Sequence, residues 1–301
     1  MNNKKLNIEL VSVITITYGQ EDYIIQAIEG VLMQKYDGHI EFIISNDNSP
    51  DSTDELIRNY FNNLNIPSNF TINYINHKQN KGVINNFIWS LNQANGDYIA
   101  ICEGDDYWID SLKLKKQVDF LEDNPSYSLC FHNAIKLYDN GRNPELFNNF
   151  SKSKQITLDE IVKKWIIPTA SILFRKSILP LPEWSLEIYS GDQTLALISI
   201  SKGNIFYLNS IMSIYRVRNL DKNSMTFKTS NKITDVIKEQ LKLYEFYLED
   251  PMCINKNIIL KKIEQLKNEL EFQIIKKKNI FHAIFKRPGY YFKSIKLMLL
   301  K

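Results

Sequence analysis

The feature that most limits how this chain can fold is an alternation in its first half. Short β-branched apolar runs take turns with stretches that repeat at helical spacing. Leu10–Thr17 is a buried-strand run, and Glu21–Gln34 follows with Ile24, Ile25, Ile28, Val31 and Leu32 on one helical face. Ile40–Ser45 is a second strand run, and Asp51-Ser52-Thr53-Asp54 offers cap chemistry ahead of Leu56, Ile57 and Tyr60. Phe70–Ile75 alternates as a strand, Val83–Ala94 reads as a helix stopped at Asn95-Gly96, and Asp97–Cys102 is a fourth strand. Asp110–Leu121 reads as a helix closed by Asn124-Pro125. Repeated βα units imply a largely parallel sheet with helices on both faces. Ligands of such sheets bind beyond the carboxyl ends of the strands. Thr17-Tyr18, Asn46-Asp47 and Glu103–Asp106 are therefore expected along one edge.

The second half is more mixed. Tyr127–Tyr138, Thr169–Arg175, Asn204–Leu208 and Ile211–Val217 read as strands, Thr157–Trp165 and Asp192–Ser201 as helices, and Asn140–Lys154 as a loop. From Ile233 onward the pattern is helical, broken at Asp250-Pro251 and Arg287-Pro288-Gly289. The expected organisation is an α/β domain over 1–228, a mixed sheet flanked by helices, and a helical extension over 229–301.

At 44% apolar and 24% charged, 301 residues have the balance of an ordinary globular chain, which excludes a disordered chain or a disulfide scaffold. No apolar run reaches the roughly 18 residues of a membrane-spanning helix. The N-terminal apolar run reads as a strand and not as an export signal. Cys102, Cys130 and Cys253 are odd in number and far apart, as expected of reduced thiols. These features point to the cytosol, or to peripheral attachment at the inner face of a membrane. Residues 261–301 carry 11 Lys/Arg and 3 Glu, a net of +8, which leaves −5 on the other 260 residues of a chain whose total is +3. Within 274–301 the basic residues interleave with Ile, Phe, Tyr and Leu. That is the pattern of a helix lying on an anionic membrane surface, or of one packing on the domain with a solvated basic face. Nucleic acid is not an expected partner, because the rest of the chain is acidic and lacks an aromatic-basic sheet motif.

The residues that carry chemistry begin with Ile99-Ala-Ile-Cys-Glu-Gly-Asp-Asp-Tyr-Trp108. Here an apolar strand runs into Glu103, Asp105 and Asp106. Clustered carboxylates repel unless a cation or hydrogen bonds compensate, and hard oxygen donors suit Mg²⁺ or Mn²⁺ shared with a phosphate. Taken alone, the segment also reads as a solvated acidic turn before Asp110. Asp47 follows the second strand, where a carboxylate can accept a base imide N–H or a ribose hydroxyl, or simply hold a turn. Tyr18 is placed to stack on a base, with Thr17 hydrogen-bonding beside it, or to pack on the core. Asn86 reads as a donor or acceptor contact, or as a helix-start residue. His132-Asn133 is a candidate acceptor contact or a buried pair, and Tyr107-Trp108 a sugar platform or core.

Taken together, VSVITITYGQEDYIIQAIEGVLMQ, EFIISNDNSPDST, NKGVINNFIWSLNQANGDYIAICEGDDYW, LKKQVDFLEDNP, TASILFRKS, SGDQTLAL and IYRVR resemble the family 2 glycosyltransferases over about residues 10–225. The resemblance implies a GT-A fold and a nucleoside-diphosphate-sugar donor, with a UDP-sugar favoured. It also implies an Mn²⁺ or Mg²⁺ ion, inversion at the anomeric carbon, and a glycan or lipid-linked acceptor in surface polysaccharide synthesis. It assigns Thr17, Tyr18, Asp47 and Glu103 to the nucleotide, Asp105 to the metal and Asp192 to the catalytic base. Asp106, Arg216 and Arg218 become candidates for the sugar, metal or diphosphate. The sequence departs from the family pattern in three places. Asn46 replaces the first aspartate of a pair, Glu103 replaces aspartate, and Arg218 stands where many members carry histidine, so no histidine ligand is expected. Two other readings share parts of this pattern. One is a nucleotidyltransferase, although a Gly-rich basic loop after the first strand is missing. The other is a non-catalytic, membrane-tethered sugar-nucleotide-binding protein.

Overall fold

A computed structural model describes residues 9–218 and 233–278. The chain divides into two compact units, 1–224 and 225–301.

The first unit is built on a ten-stranded sheet in the order β3-β2-β1-β4-β9-β6-β10-β5, with β7 beside β6 and β8 beside β10. β1 (Val11–Thr17) and β2 (Ile40–Asn46) are buried along their whole length. Helices cover both their faces, which is why their sequences are continuous apolar runs. Each such Val or Ile contributes about 1.5–3 kcal/mol by leaving water. β2 pairs in parallel with β1 and with β3 (Phe70–Asn76), and β1 pairs in parallel with β4 (Tyr98–Ile101). The helices α1 (Ile24–Leu32), α2 (Thr53–Asn62), α3 (Val83–Gln93) and α4 (Lys113–Asp123) follow the expected alternation. α2 starts differently from the expected cap. Its N-cap is Ser52, whose side chain makes no cap bond, and Asp51 accepts Thr53 N–H at 3.1 Å instead.

The other half departs from a largely parallel sheet. β9 (Leu173–Arg175) lies antiparallel between β4 and β6 (Tyr127–Tyr138). The short strand β5 (Tyr107–Trp108), hidden in the acidic segment, pairs antiparallel with β10. The two strands expected at 204–208 and 211–217 are one strand, β10 (Asn204–Val217), whose bulges shift its register with β6. The expected strand 169–175 begins as a 3-10 turn, Thr169–Ser171. The expected loop 140–154 contains β7 (Glu145–Leu146), and β8 (Lys154–Ile156) begins at its end. Two helices complete this unit, α5 (Leu158–Lys163) and α6 (Gly191–Lys202).

In the second unit α7 (Ile233–Glu249) packs against α8 (Lys256–Lys278), with Lys267 Nζ 2.9 Å from Glu245 Oε1. No helix among the described residues is long and apolar enough to cross a membrane. Most of the basic stretch expected to meet a membrane surface, 279–301, lies outside the described residues.

Candidate functional site at the carboxyl edge of the sheet

The chain order reverses at β1, with β2 on one side and β4 on the other, and three loops meet at that edge. Gly104 lets two of them touch. A Cβ there would lie 2.9 Å from Thr17 Cβ and 2.3 Å from Gln20 Oε1, so only glycine lets the acidic loop lie on the end of β1. Gly104 N–H donates to Ile16 O at 3.1 Å. Thr17 is buried and its hydroxyl donates to Gln20 Oε1 at 2.7 Å, while its carbonyl accepts Asp47 N–H at 2.9 Å. Tyr18, next along, is 41% exposed.

The loop after β2 is closed by the loop between β3 and α3. Asp47 Oδ1 accepts Lys81 N–H at 2.7 Å and Oδ2 accepts Gly82 N–H at 3.0 Å. Gly82 has φ +83°, the left-handed region where glycine carries no Cβ penalty. Asn46, the substituted position, accepts Ser49 N–H at 3.0 Å and donates to Tyr74 OH at 3.1 Å. Asn86 does not reach the edge as a ligand contact. It is buried, donates to Ser45 O at 3.1 Å, and accepts Ser45 Oγ at 2.5 Å. His77 Nε2 is 3.1 Å from the same Oδ1, so the polar atoms of Asn86 are taken up inside the core.

The loop after β4 is the opposite case. Burial, with the charges of Asp105 and Asp192, pushes the Glu103 carboxyl up to about 8. A hydrogen bond with Thr169 and the Arg218 charge offset this in part. Asp105 Oδ2 forms an ion pair with Arg218 Nη2 at 2.9 Å, and its carbonyl accepts Arg216 Nη1 at 2.6 Å. Arg216 lies over the Tyr107 ring, 4.5 Å from its centroid, and both arginines lie over Tyr23. Asp106 anchors the loop. It is 1% exposed, and Oδ1 accepts Arg216 N–H at 2.8 Å, which ties the loop to β10. Its Oδ2 has no partner. Burial and the Asp105 and Glu103 charges hold its carboxyl well above the usual range.

Asp192 is the second residue of α6, whose N-cap is Ser190. Asp192 Oδ1 accepts Gln193 N–H at 2.8 Å and Oδ2 accepts the Thr169 hydroxyl at 3.1 Å. Burial raises its carboxyl, and those two hydrogen bonds act against the rise. Thr169 is thus bonded to Asp192 and lies near Glu103. Tyr215 faces the same charges: burial, then Asp106, Glu103, Asp105 and Asp192, holds its phenol protonated well above its ordinary value. Sequence reasoning missed both. The only signal for Thr169 was its place at the head of the TASILFRKS segment, and Tyr215 was hidden in the apolar run before Arg216.

Two other candidates are core. Trp108 is buried, with Nε1 donating to Ala170 O at 2.8 Å. His132 is buried and held neutral, its titration lowered by burial and then by Lys113, with Nδ1 2.8 Å from Asn133 O. Asn133 is closed off by Asn148, donating to its carbonyl at 2.7 Å and accepting its N–H at 2.9 Å.

Among the described residues, no three His, Cys, Asp or Glu side chains converge as a metal site made of protein alone. The donor set still fits a Mg²⁺- or Mn²⁺-type ion, which binds through one or two carboxylates plus phosphates and water. Glu103 and Asp106 resist ionisation beside Asp105, a resistance that a divalent cation would relieve.

The model of glycosyl transferase family 2 matches residues 12–180. An uncharacterized protein of Mycobacterium tuberculosis is 32% identical over 214 residues, 68% of this chain and 58% of its own. The chain thus spans less than two thirds of the length of that relative. The β-1,3-glucosyltransferase WfgD of Escherichia coli, named for UDP-Glc and α-D-GlcNAc-diphosphoundecaprenol, is 25% identical over 246 residues, covering 81% of this chain and 88% of its own. Staphylococcus aureus TarS (residues 1–349), solved with UDP-GlcNAc, superposes with a TM-score of 0.63 at 17% identity, over 86% of this chain and 71% of that one. The mixed sheet and its helices share the GT-A fold of TarS.

Proposed function

Because the chain belongs to glycosyl transferase family 2, we propose that its carboxyl edge transfers a sugar from a nucleoside-diphosphate sugar to an acceptor hydroxyl, with inversion at the anomeric carbon. The supporting observation is the convergence of Asp105, paired with Arg218, and Asp192, bonded to Thr169, with Glu103 close enough to feel both charges, at the edge where α/β sheets bind ligands. A UDP-sugar is the favoured donor and a lipid-linked glycan the favoured acceptor, by likeness to WfgD and to UDP-GlcNAc-bound TarS. Surface polysaccharide synthesis, at the inner face of a membrane, is the matching setting.

Each side chain then has a task. Tyr18 offers an open face for the base, and Thr17 and Asp47 shape the floor beneath it. Glu103 lies beside the ribose. Asp105 would hold a divalent cation, which when bound supplies positive charge to the leaving diphosphate. Arg218 and Arg216 supply guanidinium charge to the same oxygens, a geometry suited to phosphate. Asp192 takes the proton of the acceptor hydroxyl as its oxygen attacks the anomeric carbon and the bond to the diphosphate breaks. Such base assistance is worth roughly 10²–10⁴-fold.

The test is release of UDP from UDP-glucose and UDP-GlcNAc with Mn²⁺, with and without an undecaprenyl-diphosphate-linked sugar, and with GDP- and dTDP-sugars as controls. Release from one sugar nucleotide, raised by the acceptor and lost in Asp192→Asn, is expected. No release from any of them would favour the non-catalytic binding protein.

A further inference from the structure

We propose that Thr169 is a positioning residue that sets the plane of the Asp192 carboxylate for removing the acceptor proton. The proposal rests on Asp192 being the base.

Thr169 opens a 3-10 turn that the core holds from two directions. Trp108 Nε1 donates to Ala170 O at 2.8 Å and Gln117 Nε2 donates to Ser171 O at 2.9 Å, and both of those side chains are fully buried. Within the turn, Ser171 N–H and Oγ both donate to Pro168 O, at 2.9 and 2.5 Å. The position of the Thr169 hydroxyl is therefore fixed by packing. Trp108 is two residues beyond Asp106, so the same tie sets the turn in register with the acidic loop.

A threonine hydroxyl has one proton to donate. Thr169 gives it to Asp192 Oδ2 at 3.1 Å, while Asp192 Oδ1 takes Gln193 N–H at 2.8 Å. The two oxygens are thus held from two separate elements, the 3-10 turn and α6. Each keeps lone-pair capacity for an acceptor hydroxyl. Without the hydroxyl, the carboxylate keeps only backbone N–H groups of its own helix and is freer to turn about its terminal torsion, which has broad wells.

The test uses the full chain with UDP-glucose and Mn²⁺, water serving as acceptor, and compares wild type, Thr169→Val, Thr169→Ser and Asp192→Asn. Valine keeps the shape and removes only the hydroxyl. Thr169→Val is expected to lower kcat by about 10–100-fold, as misplacement of a reacting group does, with KM for UDP-glucose changed by less than about twofold. Thr169→Ser is expected to restore kcat to within about threefold of wild type, since the bond is remade. Thermal melting of all four checks that each is folded. Wild-type kcat in Thr169→Val beside an inactive Asp192→Asn overturns the role of Thr169 and leaves the base in place. Equal loss in the Val and Ser variants, or a loss carried by KM, also overturns it. Wild-type kcat in Asp192→Asn removes the base itself.

Discussion

The loops after β2 and β4 sit at the same sheet edge, and each carries a buried aspartate, yet they are built in opposite ways. Asp47 has a backbone N–H on each oxygen, from Lys81 and Gly82, and its neighbour Asn46 is bonded within its own loop and to Tyr74. Asp106 has one N–H, from Arg216, and one oxygen without a partner, with Glu103 and Asp105 crowding it. The first loop is complete as it stands. The second crowds carboxyls whose ionisation its surroundings do not balance, so their protons are held on, a mark of sites that take up a ligand. The imbalance continues below it. Lys113 is fully buried, its Nζ 3.9 Å from the centroid of the Trp108 ring with no hydrogen-bond partner.

The contrast can be broken in graded steps. The largest expected effect is Asp192→Asn, a loss of roughly 10²–10⁴ in turnover with nucleotide binding retained. Loss of binding as well would mean that Asp192 holds the donor.

Next is Lys113→Met, expected to stabilise the protein by about 1–4 kcal/mol at pH 7, as replacement of a buried charge by a packed apolar side chain does. Burial holds the Lys113 ammonium down to about 7, against about 10.4 in the unfolded chain. The wild type therefore loses stability as pH falls from about 10.4 to about 7 and little more below that. The advantage of the variant should be greatest near pH 7 and shrink toward pH 10. Denaturant melts at the two pH values check it, and an advantage independent of pH would contradict it.

Asp47→Asn should cost about 1–3 kcal/mol of stability, because an amide NH₂ would face a backbone N–H that now has an acceptor. Asp106→Asn should change stability by less than about 1 kcal/mol, because the carboxyl is held protonated and an amide oxygen can still accept Arg216 N–H. Equal costs at the two positions would erase the distinction between the loops. The smallest effect is on the pH profile. Burial raises the Asp192 carboxyl, so turnover should fall on the acid side at a higher pH than an exposed aspartate would give, and a pH–kcat profile with no such displacement would contradict it.

The half of the fold around β1, β2 and β3 was legible because continuous apolar runs and helical spacing report burial directly, and parallel βα units leave little choice of topology. The other half was less so. Spacing gives a strand its period but not its direction, and nothing in Leu173–Arg175 shows that it inserts antiparallel between β4 and β6. β10 runs straight through the gap between the two expected strands at 209–210, with register shifts inside both of them as well as at the gap. At the site, the order of Asp47, Glu103, Asp105 and Asp192 was readable from their motifs. The burial of Asp106 and Asn86 was not, because a polar residue at a strand or helix end has the same letter whether it faces solvent or backbone. Thr169 carried no signal of its own, because its meaning comes from Asp192, 23 residues further along.

The most direct test is calorimetric titration of UDP into wild type and Asp105→Asn, each with Mn²⁺ and with EDTA. If the loop after β4 is the donor site, UDP binds the wild type with Mn²⁺, and binding is lost in EDTA and in Asp105→Asn. Equal binding of UDP in all four samples, or binding in none, would contradict it.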